Sequence, residues 1–236
     1  LAVTALNKVE LIEVKNNTLI RSFTGHTKDI GSVAWSPDGK YIVTGSRDNS
    51  VKIWNVLTGK CTHTLSGHGR QVRCVAWSNN GKFIASSAMD NTVKIWDPVE
   101  GKLIRTLIAD PDNKSTSFNG EPFPYVYVET VCISPNNDKI ACTVKGKNFK
   151  GTINIFNVDT GNLINSIENT GAVYSISFSR NNQTILADCG FDDTIRIWNT
   201  ISGKLVRKIS SGHKKRIQSV SFSPDEKQII SGSQDG

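Results

Sequence analysis

The sequence predicts an all-β chain assembled from a repeated four-stranded antiparallel module. Three observations carry that reading: apolar and polar residues alternate with period two, clusters of turn residues punctuate the chain, and whole segments recur at a fixed spacing. GHTKDIGSVAWSPDGKYIVTGSRDNSVKIWNVLTGKCTHTLS (25–66) is followed by GHGRQVRCVAWSNNGKFIASSAMDNTVKIWDPVEGKLIRTL (67–107). A shift of 42 residues takes His26 to His68, Asp48 to Asp90 and Trp54 to Trp96.

Each segment then follows in order. VELIEVKNNTLIRSF (9–23) aligns with the third and fourth strands of the next unit and LAVTAL adds a second strand, so 1–24 is a partial module. In unit 25–66, IGSVAWS, YIVTGS, VKIWNV and CTHTL are four short alternating runs bounded by PDGK, RDNS and LTGK. Gly, Asn, Asp and Pro at those boundaries are turn chemistry, and four strands joined by tight turns make one meander. Unit 67–108 repeats it.

Unit 109–167 is the most divergent, with Phe156 where the others have Trp, and it opens on a long loop, 108–126. The Trp77-to-Ile133 spacing of 56 exceeds the 42-residue period there. Ser115, Thr116 and Ser117 form a modification-prone tip in that loop, and Phe118, Phe123 and Pro124 are candidate anchors. Unit 168–210 is degenerate: it carries Trp198 but no Gly-His. The last piece, 211–236, supplies first and second strands only. No stretch carries a helical stripe.

Composition sets outer limits. Hydrophobic content of 37% and charged content of 21% fit a packed core rather than a disordered chain. No apolar run approaches the ~18 residues of a membrane span, so no membrane partner is expected. The N-terminus has no signal-peptide pattern and no initiator Met, which predicts a segment of a longer protein. The five cysteines show no CxxC pair and no zinc-like spacing; Cys61, Cys74, Cys132 and Cys142 lie in alternating runs and read as core fillers, which favours a reducing compartment. An intracellular location, cytoplasmic or nuclear, follows. The net charge of +7 leaves nucleic acid as a second choice of partner.

One module of this size cannot bury enough apolar area alone; stacking modules face to face solves that, and radial closure protects the edges. Gly-His near the start, Asp in the second hairpin turn and Trp-Asp or Trp-Asn after it resemble the WD-repeat β-propeller family over nearly the whole chain. The resemblance implies a β-propeller of four-stranded blades. With four complete modules between two partial ends, a fragment of a seven-bladed or larger propeller is expected, and a closed five-bladed ring is the weaker alternative.

The resemblance also implies a structural tetrad of His, Ser or Thr, Asp and Trp in each blade. By position these are His26, Thr44, Asp48 and Trp54, then His68, Ser86, Asp90 and Trp96, and finally His213, Ser231 and Asp235. Hydroxyl, imidazole and carboxylate are also the ingredients of a hydrolytic triad. A set repeated in blade after blade, however, is bracing rather than one active site, and a buried Asp turn needs donors that imidazole, hydroxyl and indole supply. In the degenerate unit Asp192 is retained and Asp188 is expected at the hydroxyl position; the Phe156 unit has neither His nor Asp in place. Cys189 lacks a His partner, KGKNFKGT (145–152) lacks P-loop order, and His63 reads as a surface residue. No catalytic residue, cofactor, metal or small-molecule substrate is expected.

Partner binding is expected on the blade face that the third and fifth residues after the His and the residue before the Asp present. These are Asp29, Gly31 and Arg47; Gln71, Arg73 and Met89; Tyr127 and Glu129; Ala172, Tyr174 and Phe191; and Arg216, Gln218 and Gln234. Arg, Tyr, Phe and Met in that set are interface types. Lys214, Lys215 and Arg216, with Arg70 and Arg73, form a basic arc suited to an acidic peptide, a phosphorylated motif or RNA phosphates. Thr58, Glu100 and Ser202 follow the blade Trp by four residues, where some ubiquitin-ligase receptors of the family carry Arg or Lys. The expected function is a non-catalytic scaffold binding peptides or proteins within a multiprotein complex. The alternatives are a basic propeller in an RNA-processing or ribonucleoprotein assembly, and a sensor region joined to a separate effector domain.

Overall fold

A computed structural model describes residues 1–110, 116–118, 121–123, 126–145, 151–169, 171–188 and 194–235. They form two compact units, 1–107 and 108–236. Every regular element among the described residues is a strand, and every sheet is antiparallel.

The first unit begins with a three-stranded sheet of β1 (Ala2–Ala5), β2 (Lys8–Glu13) and β3 (Thr18–Thr24). Two four-stranded meanders follow. One is β4 (Ile30–Trp35), β5 (Tyr41–Ser46), β6 (Val51–Asn55) and β7 (Cys61–Leu65); the other is β8 (Val72–Trp77), β9 (Ile84–Ala88), β10 (Thr92–Asp97) and β11 (Lys102–Ile108). The turns are built by residues that tolerate a left-handed backbone. Gly39 and Gly81 hold φ of +69° and +73° between the first two strands, and Asn49 and Asn91 hold +73° and +63° between the next two. The residue after the blade Trp caps the third turn. Asn55 Oδ1 accepts the Thr58 N–H at 2.8 Å, and Asp97 Oδ1 accepts those of Val99 and Glu100 at 2.8 and 2.9 Å. Only an Oδ1 acceptor is needed, so Asn replaces Asp without loss.

The sheets are stable because they pack on each other. Trp54, on β6, joins Val9, Leu11, Phe23, Ile30 and Ile42 in one cluster, reaching back to the preceding sheet. Trp96, on β10, joins Val43, Val51, Ile53, Leu65, Val72, Val75 and Ile84 in the same way. Each fully buried side chain of this size contributes roughly 1.5–3 kcal/mol. Gly45 permits that packing: a Cβ there would lie 2.6 Å from Val72 Cγ1.

A polar link repeats between sheets. The Arg21 guanidinium on β3 donates to the Leu57 and Thr58 carbonyls at 3.0 and 3.3 Å. His63 on β7 lies against Gly101, where a Cβ would stand 2.5 Å from its ring and φ is +64°. His63, expected as a plain surface residue, is therefore half-buried packing between sheets, because the fourth strand of one sheet lies beside the third turn of the next.

The second unit opens on a hairpin of β12 (Thr116–Phe118) and β13 (Glu121–Phe123). The hairpin lies within the long loop expected at 108–126. The dipeptide Asn119-Gly120 between the two strands is the strongest short hairpin signal a sequence carries. The anchoring role expected of Phe118, Phe123 and Pro124 lies outside the described side chains, as does the Ser115–Ser117 tip.

Two meanders and a hairpin follow: β14 (Tyr127–Ile133), β15 (Lys139–Lys145), β16 (Gly151–Asn157) and β17 (Leu163–Asn169); β18 (Ile176–Phe178), β19 (Thr184–Asp188), β20 (Thr194–Asn199) and β21 (Leu205–Ser210); and β22 (Ile217–Phe222) with β23 (Ile229–Ser233). Ile153, Ile155, Val173, Ile176 and Ile185 fill the first interface, and Leu186, Ile195, Ile217 and Val220 the second. The inter-sheet link recurs with Asn165 Nδ2 donating to the Ile201 carbonyl at 3.0 Å. No helix among the described residues is long and apolar enough to cross a membrane.

Candidate functional site

The four tetrad residues of the first full meander meet in one hydrogen-bonded chain. His26 Nδ1 lies 2.8 Å from Asp48 Oδ2, and His26 Nε2 lies 2.7 Å from Thr44 Oγ1. Trp54 Nε1 donates to the same Thr44 oxygen at 2.9 Å. A carboxylate only accepts, so His26 carries its proton on Nδ1, and Nε2 accepts from the Thr44 hydroxyl. Burial holds the imidazole below its ordinary pKa even though the Asp48 carboxylate pulls the other way, and the ring is neutral. Burial also opposes the charge on Asp48. Hydrogen bonds from Ser50, His26 and the Thr27 N–H outweigh it and hold that carboxyl down at about 2.

The arrangement repeats. His68 meets Asp90 at 2.9 Å and Ser86 at 2.7 Å, and Trp96 donates to Ser86 at 2.8 Å. In the last hairpin His213 lies 3.0 Å from both Asp235 and Ser231, and the Lys214 N–H leads the contacts that hold Asp235 at about 2. The order hydroxyl, imidazole, carboxylate is that of a hydrolytic triad. Thr44 and Ser86 nevertheless have no accessible surface, so a substrate carbonyl has no path to either oxygen.

The degenerate sheet corrects one expectation. Ile42 pairs Trp54 and Thr44 pairs Lys52; in the later sheet Ile185 pairs Trp198 and Ala187 pairs Arg196. The hydroxyl position is therefore Ala187, not Asp188, since one residue of slip turns a side chain to the opposite face. The Trp198 indole N–H is buried with no acceptor among the described residues. In the Phe156 sheet the same register puts Cys142 at that position, and burial pushes its thiol up to about 12. Asp192, Cys189 and Phe191 lie outside the described residues.

The candidate recognition positions cluster at the strand ends. Arg47 and Asp29 face each other across β4 and β5, joined by a backbone bond of 2.9 Å and by a guanidinium–carboxylate contact of 3.1 Å. Met89 bonds Gln71 through the backbone at 2.9 Å, and Gln234 bonds Arg216 at 3.2 Å. The fifth residue after each His is a β-bulge: the register shifts between Ile30 and Ser32, Val72 and Cys74, and Ile217 and Ser219, around Gly31, Arg73 and Gln218. Glu129 falls in the corresponding shift between Val128 and Val131. A bulge re-aims its side chain, and its recurrence here marks the strand end as a built feature. Arg70 and Arg73 belong to the first unit, and Lys214, Lys215 and Arg216 to the second.

Sequence reasoning missed Lys145. It pairs Tyr127 as Arg47 opposes Asp29, but the greater number of residues between β15 and β16 spoils any count made from Phe156. Lys145 Nζ lies 5.5 Å from the Tyr127 ring centroid and 4.9 Å from that of Tyr174, and donates to Tyr174 Oη at 3.2 Å. The Arg216 guanidinium lies 4.4 Å from the Tyr174 ring centroid. Tyr127 and Tyr174 thus both meet Lys145, which the repeat pattern hid, and Tyr174 also meets Arg216.

Comparison with known proteins agrees with this anatomy. The family described as "WD domain, G-beta repeat" matches residues 17–55, 59–97, 161–199 and 203–236. Periodic tryptophan protein 2 of Saccharomyces cerevisiae is 37% identical over 225 residues, 95% of this chain and 22% of the relative. The guanine nucleotide-binding protein subunit beta of Arabidopsis thaliana is 28% identical over 223 residues, 92% of this chain and 56% of that protein. Ribosome assembly protein 4 of Saccharomyces cerevisiae is 49% identical over 47 residues, 20% of this chain and 9% of that protein. The chain spans 22% and 23% of the length of two periodic tryptophan proteins that it matches nearly end to end. Family matches over well over half of the chain, on repeated four-stranded sheets with hydroxyl, His, Asp and Trp in register, establish that it belongs to the WD-repeat family of β-propeller proteins.

Proposed function

We propose that this chain is a non-catalytic scaffold that binds peptides or proteins on the strand-end face of its blades, within an intracellular multiprotein complex. The carrying observation is the pairing of the third-after-His and before-Asp positions at the end of one sheet after another, on a scaffold whose two regular blades seal the hydroxyls of their hydroxyl–imidazole–carboxylate sets inside. Blades 25–66, 67–108, 109–167 and 168–210, flanked by partial blades 1–24 and 211–236, are the presenting modules. Partner residues are Asp29, Arg47, Gln71, Arg73, Met89, Tyr127, Glu129, Tyr174, Phe191, Arg216, Gln218 and Gln234, and the tetrads brace the blades that carry them. Among the described residues no disulfide joins Cys61, Cys74, Cys132 and Cys142, which fits a reducing compartment.

A pull-down with wild type and with Arg47→Ala/Arg73→Ala tests the reading. Both side chains lie at strand ends, and the half-exposed Arg47–Asp29 pair contributes under about 1 kcal/mol to folding. Partner capture therefore falls while the melting temperature holds. Unchanged capture, or equal loss of stability, refutes it. The second reading, a basic propeller in an RNA-processing or ribonucleoprotein assembly, is favoured by the net charge of +7 and by the likeness to a ribosome assembly protein. A steep loss of RNA affinity with rising salt separates the two, because phosphate contacts release counterions.

A further inference from the structure

We infer that Tyr127, Lys145, Tyr174 and Arg216 form a subsite for an anionic side chain, a phosphate or a carboxylate, of a bound peptide. The inference rests on the scaffold reading above and specifies the chemistry of one part of that face. The residues are far apart in sequence. Tyr127 opens β14, Lys145 closes β15, Tyr174 precedes β18 and Arg216 precedes β22. Packing of successive sheets brings two cations to one ring, Arg216 at 4.4 Å and Lys145 at 4.9 Å from the Tyr174 centroid.

Both groups are charged at neutral pH. Burial opposes the Lys145 ammonium, but hydrogen bonds to the Tyr127 and Tyr174 phenols outweigh it and hold its pKa above the ordinary value; arginine does not deprotonate. All four side chains are half-buried, so the two like charges repel through a medium that screens less than bulk water. A ring quadrupole offsets part of that repulsion. An anion that hydrogen-bonds to either cation offsets more, through charge-assisted contacts, and the arginine fork suits phosphate and carboxylate alike. Lys214 and Lys215 are exposed beside Arg216 and extend the attraction to neighbouring acidic residues of a partner.

A peptide fits better than RNA. Single-stranded nucleic acid is gripped by stacking bases on open aromatic faces. Here the rings of Tyr127 and Tyr174 have cations over them instead, which claims the surface that a base would need.

The test uses the full chain on an array of synthetic peptides matched in sequence, carrying phosphoserine, glutamate or serine at one position, with a single-stranded RNA of matched length alongside. Phosphoserine and glutamate peptides are captured over serine peptides, and the two anionic arms show which source is preferred. Lys145→Gln and Arg216→Gln each weaken anionic capture about tenfold, the scale of one charge-assisted contact, at an unchanged melting temperature. Arg216→Lys recovers part of the loss. Equal capture of all three peptides, unaffected by these variants but lowered by Arg47→Ala/Arg73→Ala, overturns the subsite and leaves the scaffold reading standing. No capture of any peptide, with no natural partner retained in the pull-down, overturns both. Tighter binding of the RNA, lost in the same two variants, overturns the peptide assignment.

Discussion

Thr44→Val is the sharpest perturbation of the tetrad because it deletes one oxygen and keeps the shape. That oxygen accepts the Trp54 indole N–H at 2.9 Å and meets His26 Nε2 at 2.7 Å, and the residue has no accessible surface. Valine leaves both groups buried and unpaired, each at about 1–3 kcal/mol, so about 4 kcal/mol is expected in total. For a chain of this length that lowers the melting temperature by about 8–16 °C. The assay is thermal and urea unfolding of wild type and variant. Ser231→Ala is the internal control: the His213 side chain is 22% exposed against 0% for His26, so water replaces the lost partner and the cost stays under about 1 kcal/mol. A Thr44→Val cost near 1 kcal/mol, that of trimming one core methyl, would refute the view that the tetrad braces the blade.

Three further outcomes follow from the same geometry. Ala187→Ser places a hydroxyl where the register puts it beneath the Trp198 N–H, and is expected to stabilise by about 1 kcal/mol in urea titration; a loss of stability would place Ala187 elsewhere. Acid should destabilise the protein with both signs aligned. His26 is depressed in the folded state, so stability falls as pH drops below the unfolded value near 6.5. Asp48, held at about 2, contributes stability above pH 4 that is lost as pH falls towards 2. His26→Asn should flatten the upper part of that profile by up to one proton, about 1.4 kcal/mol per pH unit. Gly101→Ala combines a left-handed φ of +64° with a Cβ 2.5 Å from the His63 ring, for a cost of about 2 kcal/mol or more. Adding His63→Ala should recover the steric part and leave the roughly 1 kcal/mol backbone part, which a double-mutant cycle reads directly.

Much of the fold was legible because its signals are local. Alternation with period two, Gly or Asn at turn positions and a 42-residue shift between His26 and His68 name the strands, the turns and the module. The tetrads of the two regular blades were legible for the same reason, as fixed offsets within one repeat. The Asn119-Gly120 hairpin was equally local and was overlooked because the segment breaks the repeat.

Where a repeat degenerates, offsets lose their anchor. Counting placed Asp188 at the hydroxyl position, but cross-strand pairing put Ala187 there, since pairing rather than numbering decides which face a residue takes. His63 read as surface until β7 was seen beside the third turn of the next sheet, and Lys145 belonged to no pattern until β15 paired with β14. The sequence by itself determined the blades, their turns and the positions at their ends. Only the tertiary structure decided which ends meet, because periodicity constrains a strand's own faces, whereas neighbours on the adjacent sheet are chosen by packing across an interface that no local spacing encodes.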